Sequence, residues 1–441
     1  MEVHLKNAGA RRLGVFLELA GLFLLSSQVL RTLAAERLGT NPGPTIPDLE
    51  LALRLDPNDA RYHESLASLL RYSLGKIDLP RAMEHLRRAA ELEPYSPQPW
   101  LDLGAALEFQ GRIAEAETCL QRANALAPNL SRYQWVIGNF YLLHGNLPLA
   151  FQAFKKVLAG TSEYDGVLFD TAWKASGDGP QILRDLIPDR IRTEYSYLYY
   201  LTHFHHYPEA QEVWKRMASS SEPFPPDWAQ RYMDELIAIH QPEEAYQVWS
   251  DLRHKGLIRP TYEQTRQNLI QNGDFEEDLL KFGFDWRTPP AAGAYVSVDR
   301  TDFHSPSHSV LIQFTGKENV DFQSLYQYVM LHNGRDYQFR AFIKTEGITT
   351  DSGLRFEIRD AYDPRRLDRF SENFVGDTSG WLPVEFNFTA GPDTKLVVVG
   401  VVRTPTKKLD NLIAGKAWVD DVVLVPADTD VTEPSGGAKQ E

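Results

Sequence analysis

The feature that most constrains the fold is a stretch of the chain, residues 96–129, that recurs at a fixed offset along the sequence. Downstream, the matching small and apolar positions are Gly104 with Gly138, Gly111 with Gly145, Ala116 with Ala150 and Leu120 with Phe154. Upstream by the same step, Ala116, Leu120, Ala123 and Pro128 match Ala82, Leu86, Ala89 and Pro94. The period is about 34 residues, which is typical of chains that stack one small unit on the next, so it predicts a solenoid.

Within the stretch, the apolar spacing predicts two helices. Trp100, Leu103 and Leu107 fall on one face of the first helix at helical spacing. Small residues at Gly104 and Ala116 allow the second helix to approach the first closely. Such a pair cannot bury its apolar face alone, and successive pairs are therefore expected to stack.

The stretch resembles a tetratricopeptide repeat, and the residues that carry the resemblance are Trp100, Leu103, Gly104, Leu107, Ala116, Leu120, Ala123 and Pro128. The resemblance implies an all-α solenoid that binds a protein partner on its concave face. We predict tetratricopeptide repeats over residues 45–164 and degenerate helical pairs of the same type over residues 165–257. In the second range, Trp214 and Trp249 lie in similar contexts at nearly the same period.

Near its N-terminus the chain contains an apolar run, Leu13–Leu30, which three basic residues precede. The length of this run is close to the short limit for crossing a bilayer, and Glu18 interrupts it. The basic residues predict a cytoplasmic N-terminus. We predict that residues 1–38 form a cytoplasmic tip and one transmembrane helix in a bacterial inner membrane, with the bulk of the chain periplasmic or extracellular. A cleaved signal peptide and a buried helix that caps the repeats are the alternatives.

After residue 267 the hydrophobic period changes from helical to alternating. The seven strand-like runs are HSVLIQF, QYVMLH, DYQFRAFIKTEG, LRFEIRD, LPVEFNFTA, KLVVVGVV and KAWVDDVVLV. Short runs separated by Gly, Pro, Asn and Asp predict an antiparallel β-sandwich over residues 268–426. Residues 258–267 are then a linker, and the polar residues 427–441 are predicted to be disordered.

The two ends of the predicted sandwich are NLIQNGDFE at residues 268–276 and WVDDVVLV at residues 418–425. They resemble the opening and closing strands of jelly-roll carbohydrate-binding modules, which share a galactose-binding-like fold. The resemblance covers most of residues 268–426 and implies that this region binds polysaccharide. The predicted fold is therefore multidomain: an N-terminal transmembrane helix, an all-α solenoid and an all-β jelly roll.

The resemblance implies two sites. Such modules commonly hold a structural calcium ion where the first and last strands meet, and the matching carboxylates are Asp274, Glu276 and Asp420. The alternative is that Asp274 caps a turn and Asp420 ends a strand. The sugar site needs aromatic rings and polar partners, for which the candidates are Trp286, Tyr295, Gln323, Tyr326, Gln327, Tyr328, Arg355 and Trp381. The alternative for each aromatic residue is a place in the core.

The chain has no HExxH, GxSxG or CxxC motif and no phosphate-binding glycine loop, so the sequence does not predict an enzyme. Its net charge of -14 and the lack of a basic cluster argue against a nucleic-acid partner. We predict a membrane-anchored scaffold that binds a protein and a polysaccharide during assembly or export of the bacterial envelope. The alternative is a purely structural protein scaffold whose sandwich does not bind sugar.

Overall fold

The computed structural model describes residues 8–72, 77–259 and 268–427. In these ranges, fourteen α-helices precede nine β-strands, which confirms the predicted order of an all-α region and an all-β region. Of the predicted linker, 258–267, residues 260–267 lie outside the described residues, and so do residues 428–441 of the predicted disordered tail, 427–441. The chain divides into two compact units, Met1–Thr193 and Glu194–Glu441, and each is described by itself.

The first unit is helical. Its helices are α1 (Ala8–Gly39), α2 (Ile46–Leu55), α3 (Ala60–Tyr72), α4 (Leu79–Leu92), α5 (Pro97–Phe109), α6 (Ile113–Leu126), α7 (Ser131–Leu143), α8 (Leu147–Gly160), α9 (Asp165–Ser176) and the single turn α10 (Gly179–Gln181), which continues as a π-helix over Ile182–Leu186. The closest helix packing joins α3 to α4, α5 to α6 and α7 to α8. These are the pairs that the period of the sequence predicts.

Glycines of the repeat allow the helices of a pair to touch. A Cβ atom added at Gly104 of α5 would lie 2.9 Å from Leu120 of α6, and one added at Gly138 of α7 would overlap the ring of Phe154 of α8. Leu120 and Phe154 are both buried. The fixed offset in the sequence therefore corresponds to one packing contact, a glycine against a large apolar side chain, which recurs in successive helix pairs.

Helix α1 has 32 residues, and its Arg12–Gly39 part is long and apolar enough to cross a membrane. The apolar part of this helix is not buried among the described residues, and Glu18 is exposed. Only the end of α1 packs on the unit, because Ala35 is buried and Gly39 lies against the Tyr62 ring. The alternative of a buried capping helix therefore applies to the last turns of α1 and not to its apolar run.

The second unit begins with helices and ends with a sandwich. Its helices are α11 (Ile191–His203), whose first three residues precede the division, α12 (Tyr207–Ser219), α13 (Gln230–Ala238) and α14 (Pro242–His254), and a 3₁₀ turn, Pro226–Ala229, leads into α13. Trp214 and Trp249, the two tryptophans in similar sequence contexts, are both buried. The indole N–H of Trp214 donates to Asp251 at 2.8 Å, which ties α12 to α14.

The sandwich has two antiparallel sheets. Its strands are β1 (Ala294–Asp299), β2 (Ser309–Thr315), β3 (Phe322–Met330), β4 (Asp336–Glu346), β5 (Arg355–Asp360), β6 (Asp368–Phe370), β7 (Leu382–Thr389), β8 (Leu396–Arg403) and β9 (Ala414–Pro426). One sheet has the order β1-β2-β9-β4-β7, and the other has the order β3-β8-β5-β6. Their facing side chains form one apolar core. All seven strand-like runs correspond to observed strands.

The ends of the sandwich differ from the prediction in one respect. Residues 268–276, which resemble an opening strand, form turns, because Asn272 and Phe275 have φ values of 50° and 54° that strand residues do not adopt. This segment nevertheless lies along β9, where the Leu269 N–H donates to the Leu424 carbonyl at 2.8 Å. The short strands β1 and β6 were not predicted.

Candidate functional site

The eight residues predicted for sugar binding do not form one surface. Trp286 is only 1% exposed, and its indole N–H donates to the Asn272 carbonyl at 2.9 Å. Gln327 is fully buried, and its amide bonds both the N–H and the carbonyl of Gln271. These two predictions are corrected, because both side chains lie in the interior: Trp286 joins the two ends of the segment 272–286, and Gln327 holds Gln271 to β3.

Three of the other candidates lie on the outer face of the four-stranded sheet. Tyr326 and Tyr328 project from β3, with ring centroids 5.7 Å apart in an edge-to-face arrangement. Arg355 projects from β5, with its guanidinium 5.4 Å from the Phe370 ring. Gln323 is exposed at the start of β3, beside a pocket of about 380 Å³ that Pro289 and Asn319 also line.

Helices α13 and α14 pack on this outer face. Arg287 donates to Asp234 of α13 at 2.6 Å, and its guanidinium lies 5.0 Å from the Tyr328 ring. The rings of His240 and Tyr362 stack with centroids 4.0 Å apart. Burial along β8 indicates the same packing. Val397 and Val399 belong to the sandwich core, so Leu396 and Val398 face outward, and both are nevertheless buried.

A second polar contact joins the same elements: Lys395, just before β8, lies 2.5 Å from Glu243 of α14. This contact lowers the pKa of Glu243 and raises that of Lys395, so both stay charged at neutral pH. Tyr328 of β3 thus lies within an intramolecular interface. A polysaccharide chain would have to displace the helices to reach it.

The outer face of the five-stranded sheet is different. One row across the strands runs Tyr295, Gln313, Lys416 and Glu346, and the next runs Ser297, Leu311, Trp418 and Lys344. Tyr295 is 68% exposed, and Ser297, Gln313 and Glu346 are also exposed. The face therefore presents an aromatic ring, amide and charged groups to solvent.

Trp418 lies at the centre of these rows, and it is only 5% exposed. Its indole N–H donates to Asp299 at 2.7 Å, and the ammonium groups of Lys344 and Lys416 lie 5.2 and 5.9 Å from its ring. Lys344 also forms an ion pair with Asp302. Burial raises the pKa of Asp299, but hydrogen bonds from Thr301 and Trp418 outweigh it and lower the pKa, which keeps this carboxylate charged.

Aromatic rings continue the face toward β7. The His304 ring stacks on Phe342 of β4 with centroids 3.6 Å apart, and the Trp381 ring lies 5.9 Å from His304. The Nδ1 atom of His304 lies 2.6 Å from the Asp421 carboxylate. Tyr295 and Trp381 are therefore the predicted sugar residues that lie on the five-stranded side of the sandwich.

Sequence reasoning missed His304, Phe342, Trp418 and Lys344 on this face. A signal for two of them was present in the run DYQFRAFIKTEG, where Phe342 and Lys344 alternate with the buried Ala341 and Ile343. Alternation marks a residue as outward-facing once the core side is known. No comparable signal identifies His304, which lies in the loop between β1 and β2.

The predicted calcium ligands contact protein donors instead of one another. Glu276 accepts hydrogen bonds from the backbone N–H groups of Ser307 and His308 at 2.8 and 3.0 Å, and from the Ser307 hydroxyl. Its carboxylate also lies 2.9 Å from Nδ1 of His308. Burial raises the pKa of Glu276, but these hydrogen bonds outweigh it and lower the pKa.

Asp420 is similarly occupied. It accepts from the N–H groups of His304 and Ser305, each at 2.8 Å, and from the Ser305 hydroxyl at 2.9 Å. Burial is the main cause that raises the pKa of Asp420 to about 6. In the parts of the chain that are described, no three His, Cys, Asp or Glu side chains converge on one position that could hold a metal ion. The donor set therefore does not fit a calcium ion shared by Asp274, Glu276 and Asp420.

Two family matches agree with this architecture. Residues 75–136 match the family described as "Tetratricopeptide repeat", and residues 267–408 match the family described as "Carbohydrate binding domain". The chain carries a tetratricopeptide repeat and a carbohydrate binding domain. The match to the carbohydrate binding domain ends before β9, which the structure places at the centre of the five-stranded sheet.

Individual proteins match only in part. The tetratricopeptide repeat-containing protein trd-1 of Caenorhabditis elegans is 29% identical over 112 residues, which are 25% of this chain and 14% of that protein. A solved structure described as "CBM4 structure and function" is 18% identical, covers 36% of this chain and 99% of its own, and has a TM-score of 0.26. The crystal structure of MamA is 20% identical, with 39% and 84% covered and a TM-score of 0.25.

Proposed function

We propose that this protein is a non-enzymatic, membrane-anchored scaffold that binds a protein partner with its tetratricopeptide repeats and a polysaccharide with its carbohydrate binding domain. The sugar lies on the outer face of the five-stranded sheet, which we call the Trp418 face and define by Tyr295, His304, Phe342, Trp381 and Trp418. Trp418 is only 5% exposed and supports the face from within, so Tyr295 and Trp381 are the rings on which the sugar packs. Helix α1 anchors the chain in a bacterial inner membrane with a single pass. The bulk of the chain is then periplasmic or extracellular, where it acts in envelope or exopolysaccharide assembly and export.

One observation carries the sugar half of the proposal: in the part of the chain that the structure describes, helices pack on the β3 and β8 part of one outer sheet face, and an aromatic ring is exposed on the other face. Helices α13 and α14 pack on the four-stranded sheet next to Arg287 and Tyr362, whereas Tyr295 on the other sheet is 68% exposed. Sugar rings present C–H faces that pack on aromatic rings, and their hydroxyl groups bond charged and amide side chains. The Trp418 face offers both kinds of group.

The anchor is supported by the geometry of α1. A helix of 32 residues is about 48 Å long at about 1.5 Å per residue, which exceeds the thickness of the apolar core of a bilayer. Its leucine and phenylalanine side chains are exposed from Leu13 to Leu33, and such a surface is stable when lipid surrounds it. Accessibility of a tag after Glu441 to external protease tests the orientation.

The sugar half is tested with the full chain in detergent on a polysaccharide array. We expect binding to at least one polysaccharide, and loss of that binding in the double variant Tyr295→Ala/Trp381→Ala. Phe370→Ala is the matched control, because Phe370 is a similarly accessible aromatic residue on the four-stranded sheet. Absence of binding to every polysaccharide, or equal loss in the control, would end the sugar proposal.

A second candidate function is a purely structural scaffold whose sandwich does not bind sugar. The specific observation in its favour is the covered four-stranded face, since there the sandwich already serves as a packing surface for α13 and α14. In that case the Tyr295→Ala/Trp381→Ala variant would retain every interaction of the chain. The array therefore separates the two candidates.

A further inference from the structure

Two histidines face each other within the helical pair α3–α4. Nδ1 of His63 lies 2.9 Å from Nδ1 of His85, and Nε2 of His63 lies 3.2 Å from the carbonyl oxygen of Pro57. His63 is only 8% exposed, and His85 is half-buried. The pair therefore joins three parts of the first unit: helix α3, helix α4 and the turn between α2 and α3.

The later helical pairs show which residues the repeat places at these two positions. His63 is the fourth residue of α3, and His85 is the seventh residue of α4. The same positions in the next two pairs are occupied by Trp100 and Cys119 and by Gln134 and Ala153. The amide of Gln134 donates to the Pro128 carbonyl at 3.0 Å, which is the contact that His63 makes with Pro57. Packing of the repeat thus requires no titratable group at either position.

The hydrogen bonds fix where the protons of the pair lie. A carbonyl oxygen only accepts, so Nε2 of His63 carries a proton and Nδ1 of His63 is an acceptor. Nδ1 of His85 then donates to it, and Nε2 of His85 can take a first added proton while both bonds remain. A second added proton goes to Nδ1 of His63. Two N–H groups then face each other at 2.9 Å, and the bond between the rings is lost.

Burial makes protonation of the pair unfavourable. Desolvation is the main cause that lowers the pKa of both His63 and His85, so both rings are neutral at pH 7. The charged groups that face the pair come from α2, from α4 and from the turn before α3: Glu50, Asp59, Arg81, Glu84 and Arg88.

The carboxylates among these groups offset the charge of an imidazolium only weakly. Glu50 lies 2.7 Å from Arg81, and Asp59 lies 2.7 Å from Arg61, so both already have a cationic partner. Glu84 is exposed, and solvent screens its charge. The surroundings of the pair therefore favour its neutral form.

Two further helices contact α3 or α4. Burial is the main cause that raises the pKa of Tyr62, and the charge of Glu36 from α1 adds to it. Burial also raises the pKa of Glu64 to about 7, and the charge of Asp102 from α5 adds to that shift. Because Glu64 titrates near neutral pH, the test has to separate its contribution from that of the histidines.

We propose that the His63–His85 pair is an acid-sensitive latch, which holds α3 to α4 in neutral solution and releases them when both rings are protonated. Its contribution to stability is full above about pH 6.5, where an unfolded histidine is neutral, and is lost as the pH falls to the lowered pKa values of the folded pair. Tyr62 lies against Gly39 at the end of α1, so release of α3 also loosens α1 on the repeats. The inference is independent of the binding activities proposed above.

The test is amide hydrogen exchange of the full chain in detergent, measured by mass spectrometry from pH 7.5 to pH 5 and corrected for the intrinsic exchange rates. The matched variant is His63→Gln/His85→Ala, which copies Gln134 and Ala153 and can still donate to the Pro57 carbonyl. The measured quantity is the protection of α3 and α4 in the natural chain divided by that in the variant. Glu64 is present in both chains, so its titration cancels from this ratio.

We expect the ratio to fall at least tenfold between pH 7 and pH 5. Each pH unit below the pKa of an unfolded histidine lowers protection about tenfold for each proton that only the open form binds. Helices α7 and α8 are the internal reference, and their ratio is expected to stay constant. A constant ratio in α3 and α4, or an equal fall in α7 and α8, overturns the inference.

A titration of the natural chain keeps the test independent of how the variant folds. The ring signals of isotopically labelled histidine are followed by NMR, and His63→Gln and His85→Gln assign the two signals. We expect both rings to titrate below pH 6.5 and in two separate steps. Titration of either ring at or above the pKa of an unfolded histidine overturns the latch.

Discussion

Arg287 donates to the carboxylate of Asp234 at 2.6 Å, and this ion pair fixes the segment before β1 to helix α13. The guanidinium of Arg287 also donates to the carbonyl of Gly283. Gly283 in turn lies against the ring of Trp249 from α14. The contacts explain why the two sheets of the sandwich have different roles. The four-stranded sheet packs on helices, and the five-stranded sheet exposes Tyr295, Ser297, Gln313 and Glu346 on its outer face.

Replacing Arg287 by alanine is expected to loosen this packing. The Arg287 side chain is 11% exposed and Asp234 is 37% exposed, so the pair is partly shielded from water. Removing a hydrogen-bonded charge in such a place lowers the free energy of unfolding by about 1–2 kcal/mol. We expect a melting temperature lower by a few degrees and faster amide hydrogen exchange in α13 and α14.

Arg365→Ala provides the comparison for the Arg287 variant. Arg365 also pairs with an aspartate, Asp363, at 2.9 Å, but its side chain is exposed. Its loss is expected to leave the melting temperature nearly unchanged. Equal effects of the two substitutions would show that the Arg287 contact does not hold the helices on the sheet.

The packing glycines of the repeat give a second prediction. Gly138→Ala places a methyl group into the ring of Phe154, and Gly104→Ala places one 2.9 Å from Leu120. Overpacking of this kind lowers the free energy of unfolding by about 1–3 kcal/mol. We expect the Phe154 contact to be the more sensitive, because a rigid ring moves less easily than a leucine side chain. Thermal unfolding followed by circular dichroism measures both.

Gly166→Ala is the matched control in the same unit. Gly166 lies in helix α9, its backbone is not left-handed, and no atom lies within 4 Å of the added methyl group. Alanine is favoured over glycine in a helix by about 1 kcal/mol, so this variant is expected to be at least as stable as the natural chain. Equal destabilisation by Gly166→Ala, where no atom meets the added methyl group, would mean that the contacts with Leu120 and Phe154 do not cause the losses at Gly104 and Gly138.

The sequence was sufficient to predict the elements whose contacts recur. Gly104 and Leu120 belong to one repeat, and Gly138 and Phe154 reproduce their spacing in the next, so a single local pattern encodes the contact. The strands were similarly predictable, because alternating burial leaves its period in the residue order. Short strands such as β6, with three residues, are below the length at which such a period can be detected.

The candidate site was less predictable, because its contacts join residues that are distant in the chain. Arg287 and Asp234 are 53 residues apart, and neither carries a local signal that selects the other. The role of Tyr328 depends on that contact, since the tyrosine lies in an interface once α13 is in place. For the same reason, Tyr295 on the open sheet and Tyr328 on the covered one could not be distinguished from the sequence.

Calcium is expected to leave the stability of the sandwich unchanged. Glu276 and Asp420 already accept hydrogen bonds from the loop that contains His304 and His308, and an ion would have to displace these donors. A calcium ion at a concentration about 100-fold above its dissociation constant would add about 2.7 kcal/mol, which is several degrees of melting temperature. Melting in millimolar calcium and in EDTA measures the difference. A rise in calcium that Asp274→Asn abolishes would instead establish the ion site.

Asp285 gives a prediction for pH. It is 3% exposed, its Oδ2 atom accepts from the Leu280 N–H at 2.6 Å, and its Oδ1 atom has no hydrogen-bond partner among the described residues. Burial raises the pKa of Asp285 to about 7, whereas an unfolded aspartate titrates near pH 4. Between these values the folded chain holds a proton that the unfolded chain has lost. The contribution of this group to stability is therefore fully present below about pH 4 and is lost as the pH rises to about 7.

Asp285→Asn isolates this group, because an amide of the same shape does not titrate in that range. The introduced amide has an N–H group without a hydrogen-bond partner, which lowers the free energy of unfolding by an amount that does not depend on pH. The test therefore follows how the difference in the free energy of unfolding between the variant and the natural chain changes with pH. We expect the free energy of unfolding of Asp285→Asn, relative to the natural chain, to rise between pH 4 and pH 7 by a few kcal/mol and then to stay level. Urea denaturation at each pH measures it. A difference that stays constant from pH 4 to pH 8 would mean that Asp285 is charged in the folded chain despite its burial.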